Sequence, residues 1–122
     1  MEQKQEPQEY ADTRIAASGN LSAAIDALWA RFLPEIRKRV ELLKTAAAAC
    51  ASNNLSADVR GEAVAAAHKL AGSLGTFNLT RGTELAREFE VLASRDETLD
   101  AIAANRLATI ASELGILVEG RK

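Results

Sequence analysis

The stretch SADVRGEAVAAAHKLAGSLGTF, residues 56–77, decides both the fold and the site of this 122-residue chain. Ser56 is a natural helix N-cap, and Asp58 follows in the first turn, where the helix dipole favours an acid. At roughly 100° per residue, Val59, Ala63, Ala66, Ala67, Leu70, Leu74 and Phe77 fall in one arc about 120° wide. That arc is the predicted core face of an amphipathic helix. His68 lies about 160° from Leu70, on the opposite side. Gly61, Ala65, Gly72 and Gly75 sit within about 60° of His68 on the same wheel.

The glycines are unusual. Each costs about 1 kcal/mol relative to alanine inside a helix. A merely solvated face would carry Glu, Lys or Gln, which favour the helix. Clearing the surface around one imidazole suits the approach of another macromolecule. An unperturbed imidazole titrates near 6.5, so a neutral ring nitrogen is available as a nucleophile near neutral pH. Such a nitrogen can take a phosphoryl group covalently and pass it on. Lys69 is the nearest cation in sequence, about 100° round the helix.

The flanking sequence reads as helix in both directions. Alanine accounts for 25 residues, against two prolines and seven glycines, and alanine is the best helix former. Residues 1–20 read as a polar tail in which the pattern allows a short helix over Tyr10–Ser18, stopping at Gly19-Asn20 in a left-handed cap. Ser22 opens the next helix, which runs to about Ala51 with Ile25, Trp29, Phe32, Ile36, Leu43, Ala47 and Cys50 at helical spacing. Pro34 predicts a kink or break within it, and Asn53-Asn54 ends it. Thr80 is the expected cap of a helix to about Ser94, with Leu85, Phe89 and Leu92 inward. Asp96 is the expected cap of the last helix, with Leu99, Ile102, Ile110, Leu114 and Leu117 on one stripe. Short connections force neighbouring helices antiparallel. The prediction is all-α: an up-down-up-down four-helix bundle over 21–118 with a short N-terminal helix.

Composition narrows the function. A net charge of −2 leaves no basic patch large enough for nucleic acid. Cys50 is the only cysteine and His68 the only histidine, which excludes an intramolecular disulfide and disfavours a metal site. The longest uncharged apolar stretch, Thr45–Leu55, is short for a membrane span. The polar start lacks the apolar core of a secretory signal. A cytoplasmic protein with no membrane partner is expected. Arg37-Lys38-Arg39 reads as a solvated face with a second use in holding phosphate or an acidic partner. Trp29, Phe32 and Cys50 read as core.

Residues 67–79, AHKLAGSLGTFNL, resemble the signature of histidine-containing phosphotransfer (HPt) domains, and the likeness continues through Glu84–Glu90. The motif couples the histidine to a leucine two residues on, a glycine four on and a serine five on: His68, Leu70, Gly72 and Ser73. The resemblance implies a four-helix bundle that accepts a phosphoryl group from a receiver-domain aspartate and returns it to another, without kinase activity. It implies that His68 is phosphorylated, that Gly72 and Ser73 lie on the docking side, and that the domain needs no cofactor, magnesium coming with the receiver; the helical wheel adds Gly61 and Gly75 to the docking side and Lys69 as the leading phosphate-side cation. The implied partners are response-regulator receiver domains and a hybrid sensor histidine kinase. Many members carry lysine three residues after the histidine. This chain has Ala71 there, with Lys69, Arg37 or Lys44 as candidate replacements. Asn78 stands where the family has glycine and tolerates the same left-handed geometry. Two rival readings are a bundle that binds receiver or kinase domains without transferring phosphate and a purely structural bundle.

Overall fold

A computed structural model describes residues 6–95 and 98–121, with side chains from residue 19 onward. Four helices follow one another: α1 (Glu6–Ala51), α2 (Ala57–Thr76), α3 (Thr80–Ala93) and α4 (Ala101–Gly120). The described residues contain no strand. Two units divide the chain, Met1–Phe32 and Leu33–Lys122.

In the first unit the described chain is helical from Glu6, so no separate helix ends at Ser18. Neither Gly19 nor Asn20 adopts a positive φ, and without a left-handed residue the helix has no reason to stop. Ser22 accordingly lies inside the helix and not at its start. Trp29 is buried as expected, whereas Phe32 is 48% exposed and is not core. Periodicity selects the face a side chain occupies; only tertiary packing decides whether that face is covered.

The second unit holds the rest of α1 and the other three helices. Pro34 sits inside α1 and does not end it. Its missing N–H forfeits one hydrogen bond, to the carbonyl four residues back. Burial of Ile36, Val40, Leu43, Ala46, Ala47 and Cys50 downstream offsets that loss, at about 0.8 kcal/mol per buried methylene. Asn53 takes the left-handed conformation at φ 57, and its N–H reaches the Cys50 carbonyl, closing α1 where expected. Ser56 caps α2 by accepting a hydrogen bond from the Val59 N–H at 3.1 Å. Asn78, at φ 62, turns the chain after it.

Two predicted starts shift. Thr80 is the first residue of α3, its cap position is Leu79, and no side chain caps it. Asp96 lies outside the described residues, and α4 is capped instead by Asp100, whose carboxylate accepts from the Ala103 N–H at 2.8 Å. A carboxylate one residue before the first turn is placed to satisfy its free N–H groups. The later start leaves Leu99 ahead of the helix and Ile102 79% exposed. The buried stripe is Ala103, Ala104, Leu107, Ile110, Ala111, Leu114 and Val118, with Val118 taking the place expected for Leu117. α4 is the one described helix long and apolar enough to cross a membrane. Its buried stripe faces the protein, and Arg106 and Glu113 on its flank pair with α3.

Neighbouring contacts run in opposite order. Along α2 and α3, Arg60 meets the Ala93 carbonyl, His68 meets Glu90, and Ala71 meets Thr83. Between α3 and α4, Arg81 meets Glu113 and Glu88 meets Arg106. Residues 37–44 of α1 meet Gly115 and Glu119 of α4. Each pair is therefore antiparallel. The core between them is apolar throughout, with no buried polar or charged residue among those described.

Candidate phosphotransfer site

The helical register of α2 puts Ala63, Ala66, Ala67, Leu70 and Leu74 in the core and turns His68 out to solvent. Phe77 at the C-cap is buried with them, and Val59 is half-buried. The His68 side chain is 74% exposed, while Glu90, on the facing helix, is 29% exposed. Nδ1 of His68 lies 3.0 Å from a Glu90 carboxylate oxygen. An ionised carboxylate only accepts hydrogen bonds, so the neutral ring donates from Nδ1–H. That assignment leaves the lone pair on Nε2, at the solvent end of the ring. A carboxylate behind an imidazole fixes both tautomer and ring orientation.

Gly61 and Gly72 are exposed, and a Cβ built on either would meet nothing within 4 Å. No glycine has a positive φ, so neither backbone geometry nor internal packing calls for them. Gly75 differs. A Cβ there would approach Thr83 Oγ1 to 3.3 Å, so it also serves the close contact of α2 with α3. Thr83 donates to the Ala71 carbonyl at 2.9 Å, and Thr76 donates to the Gly72 carbonyl at 3.1 Å. Ser73 is half-buried.

The candidate cations are not brought together. Lys69 turns to the other side of α2, lining a groove with Lys38, Arg39 and Leu42 of α1. Arg37 holds Glu119 in a bidentate pair, both contacts 2.7 Å. That hydrogen-bonded pair lowers the Glu119 pKa and raises that of Arg37. Lys44 lies 3.4 Å from Glu41 and packs by Gly115. Arg37 and Lys44 thus serve the α1–α4 side, because their register on α1 points them there. At the far side of α3, hydrogen bonding to Arg106 holds Glu88 below the usual carboxylate range. Ala71 is buried, 5% exposed. No group of three or more metal-ligating side chains occurs among the described residues.

Reasoning from the sequence assigned no role to Glu90. It lies 22 residues from His68, beyond any local spacing rule, and only the antiparallel packing of α2 on α3 joins them. Its placement next to Phe89, a predicted core residue, was the available signal.

Nothing among curated proteins or solved structures matches this chain significantly. The family model described as the Hpt domain matches residues 27–117, from before Trp29 to the last turns of α4, and so takes in the whole His68–Glu90 arrangement. Domains of that family perform histidine phosphotransfer in phosphorelays as phosphocarriers and interact with receiver domains and histidine kinases; this chain belongs to the Hpt domain family.

Proposed function

We propose that this protein is a cytoplasmic phosphocarrier in a multistep phosphorelay, with His68 shuttling a phosphoryl group between receiver-domain aspartates. The observation that carries the reading is an exposed imidazole held at Nδ1 by Glu90 amid two glycines with open space above them. The antiparallel pairs support an up-down-up-down bundle over residues 21–118. In the forward step the Nε2 lone pair attacks the phosphorus of the aspartyl phosphate. The N–P bond forms, the P–O bond breaks, and its electron pair returns to the aspartate carboxylate. The imidazole keeps its Nδ1 proton, and the positive charge that develops on the ring is stabilised by the Glu90 carboxylate. Glu90 acts through His68 and is a positioning residue. Magnesium, supplied in the receiver, takes no ligand from this chain. Gly61, Gly72 and Gly75 form the docking surface, with Ser73 at its edge. Lys69 lines the α1–α2 groove at the side of that surface.

The test is transfer of label from a phospho-receiver to the wild-type protein and to His68→Gln. Label on wild type alone, stable to alkali and lost in acid, is the expected result. Label on His68→Gln refutes the assignment. The buried, uncharged Ala71 favours one alternative, a module that binds receiver or kinase domains without transfer. Binding with no label on wild type selects that alternative.

A further inference from the structure

Independently of the phosphocarrier role, we infer that the groove between α3 and α4 is a second interaction surface, which takes an acidic amphipathic helix of a partner protein. The groove has a volume of about 550 Å³. Val91 and Ile102 both line it, and they are 65% and 79% exposed. Glu88 pairs with Arg106 across the groove. In an antiparallel pair a step of three or four residues forward on α3 matches the same step back on α4, which sets Val91 opposite Ile102. Single exposed apolar side chains are ordinary on a protein surface. Two that converge across one groove, over the buried Leu92 and Ala103, form a seat for an apolar side chain.

Charge decides the occupant. Arg87, Val91 and Arg95 are spaced four residues apart on α3 and so form one ridge, and all three line the groove. The apolar centre therefore has a cation at each end, the two about 12 Å apart along the axis. The acids of the groove are already engaged. Both Glu88 oxygens accept from Arg106, and Asp100 caps α4 through the Ala103 N–H. Arg87 and Arg95 are exposed and form no ion pair among the described residues. A helix with a large apolar side chain between two carboxylates, one four residues before it and one four after, complements this row. A basic helix would set like charges against both arginines.

The groove belongs to the α4 side of α3. Thr83 and Glu90 reach α2, whereas Arg81 and Glu88 reach α4. Val91 is about 100° round α3 from Glu90, and no residue of α2 lines the groove.

The probe is a fluorescein-labelled, stapled synthetic helix with leucine at its centre and glutamate four residues to either side. A twin carries lysine in place of both glutamates. Anisotropy titrations with the full chain at low salt are expected to show the glutamate helix binding about tenfold tighter than its twin, a difference that shrinks as salt is added. Ile102→Ala should weaken the glutamate helix about tenfold, and Arg87→Ala and Arg95→Ala about two- to fivefold each. All three side chains are exposed, so thermal unfolding should be unchanged. Amide NMR shifts should centre on residues 91–95 and 102–106. No binding, equal binding of the two helices, or full affinity in all three variants overturns the inference. So do shifts centred on residues 68–75, which put the helix on the phosphotransfer face. A dimer of this chain that Ile102→Lys dissociates also overturns it, because a second copy then covers the groove. None of these readouts uses phosphate, so their failure leaves the carrier role intact.

Discussion

Gly72→Ala separates stability from function at the proposed docking face. Gly72 is exposed in the last turns of α2, has helical backbone geometry, and a Cβ there would meet nothing within 4 Å. The substitution therefore adds no clash and reduces the conformational freedom lost on folding, a gain of about 1 kcal/mol. For a domain near this size that gain raises Tm by roughly 4 °C. The same reasoning applies to Gly61, and the two sites are about 16 Å apart along the helix, so the double variant gains about 2 kcal/mol. Phosphotransfer moves the other way. A methyl group inserted in a close-packed contact costs about 1–3 kcal/mol, which slows transfer from the phospho-receiver about thirtyfold at the middle of that range. The assays are urea or thermal unfolding and the initial rate of labelling. A Gly72→Ala protein that is less stable than wild type contradicts the open geometry. One that is more stable and transfers at the wild-type rate refutes the docking role of the glycine.

Four further outcomes follow from the same contacts. Glu90→Ala should slow labelling of His68 by about ten- to a hundredfold, as loss of an orienting carboxylate does at other histidines, while Glu90→Gln, whose amide oxygen still accepts from Nδ1–H, should fall between; equal rates for all three remove Glu90 from the mechanism. Leu74→Ala should destabilise by about 2–5 kcal/mol in denaturant unfolding, since Leu74 is fully buried and packs over Gly82. Ser56→Ala removes the α2 cap and should cost about 1 kcal/mol by the same measurement. Glu88 and Glu119 have pKa values lowered by hydrogen bonding to Arg106 and Arg37. Their contribution is complete above the unfolded carboxylate range and is lost as pH falls through the lowered folded values, so Glu88→Gln should flatten the acid limb of a stability–pH profile.

The fold was legible where a periodic stripe and a cap agreed. Ser56, Asp58 and the apolar arc of α2 are a consistent local signal, and both the helix and its exposed histidine are found where that signal places them. Where a single residue was asked to stop or start a helix, tertiary context prevailed. Pro34 is carried through α1, because a breaker costs only a few kcal/mol and the burial of Ile36, Val40 and Leu43 beyond it exceeds that; Gly19-Asn20 is carried through because neither residue takes a positive φ. Asp100 caps α4, so that Ile102 is exposed.

By itself the sequence determined the all-helical class, the isolation of His68 from the core face, and the glycines that strip its surroundings, because each is a property of one helix and its period. The tertiary structure alone decided what stands behind and beside the imidazole. Glu90 belongs to another helix, and only the antiparallel register of α3 against α2 brings its carboxylate to Nδ1. It also took Arg37 and Lys44 away to α4. Helical period fixes directions around a single axis; the distance between two axes and their relative register come from how the buried faces interlock.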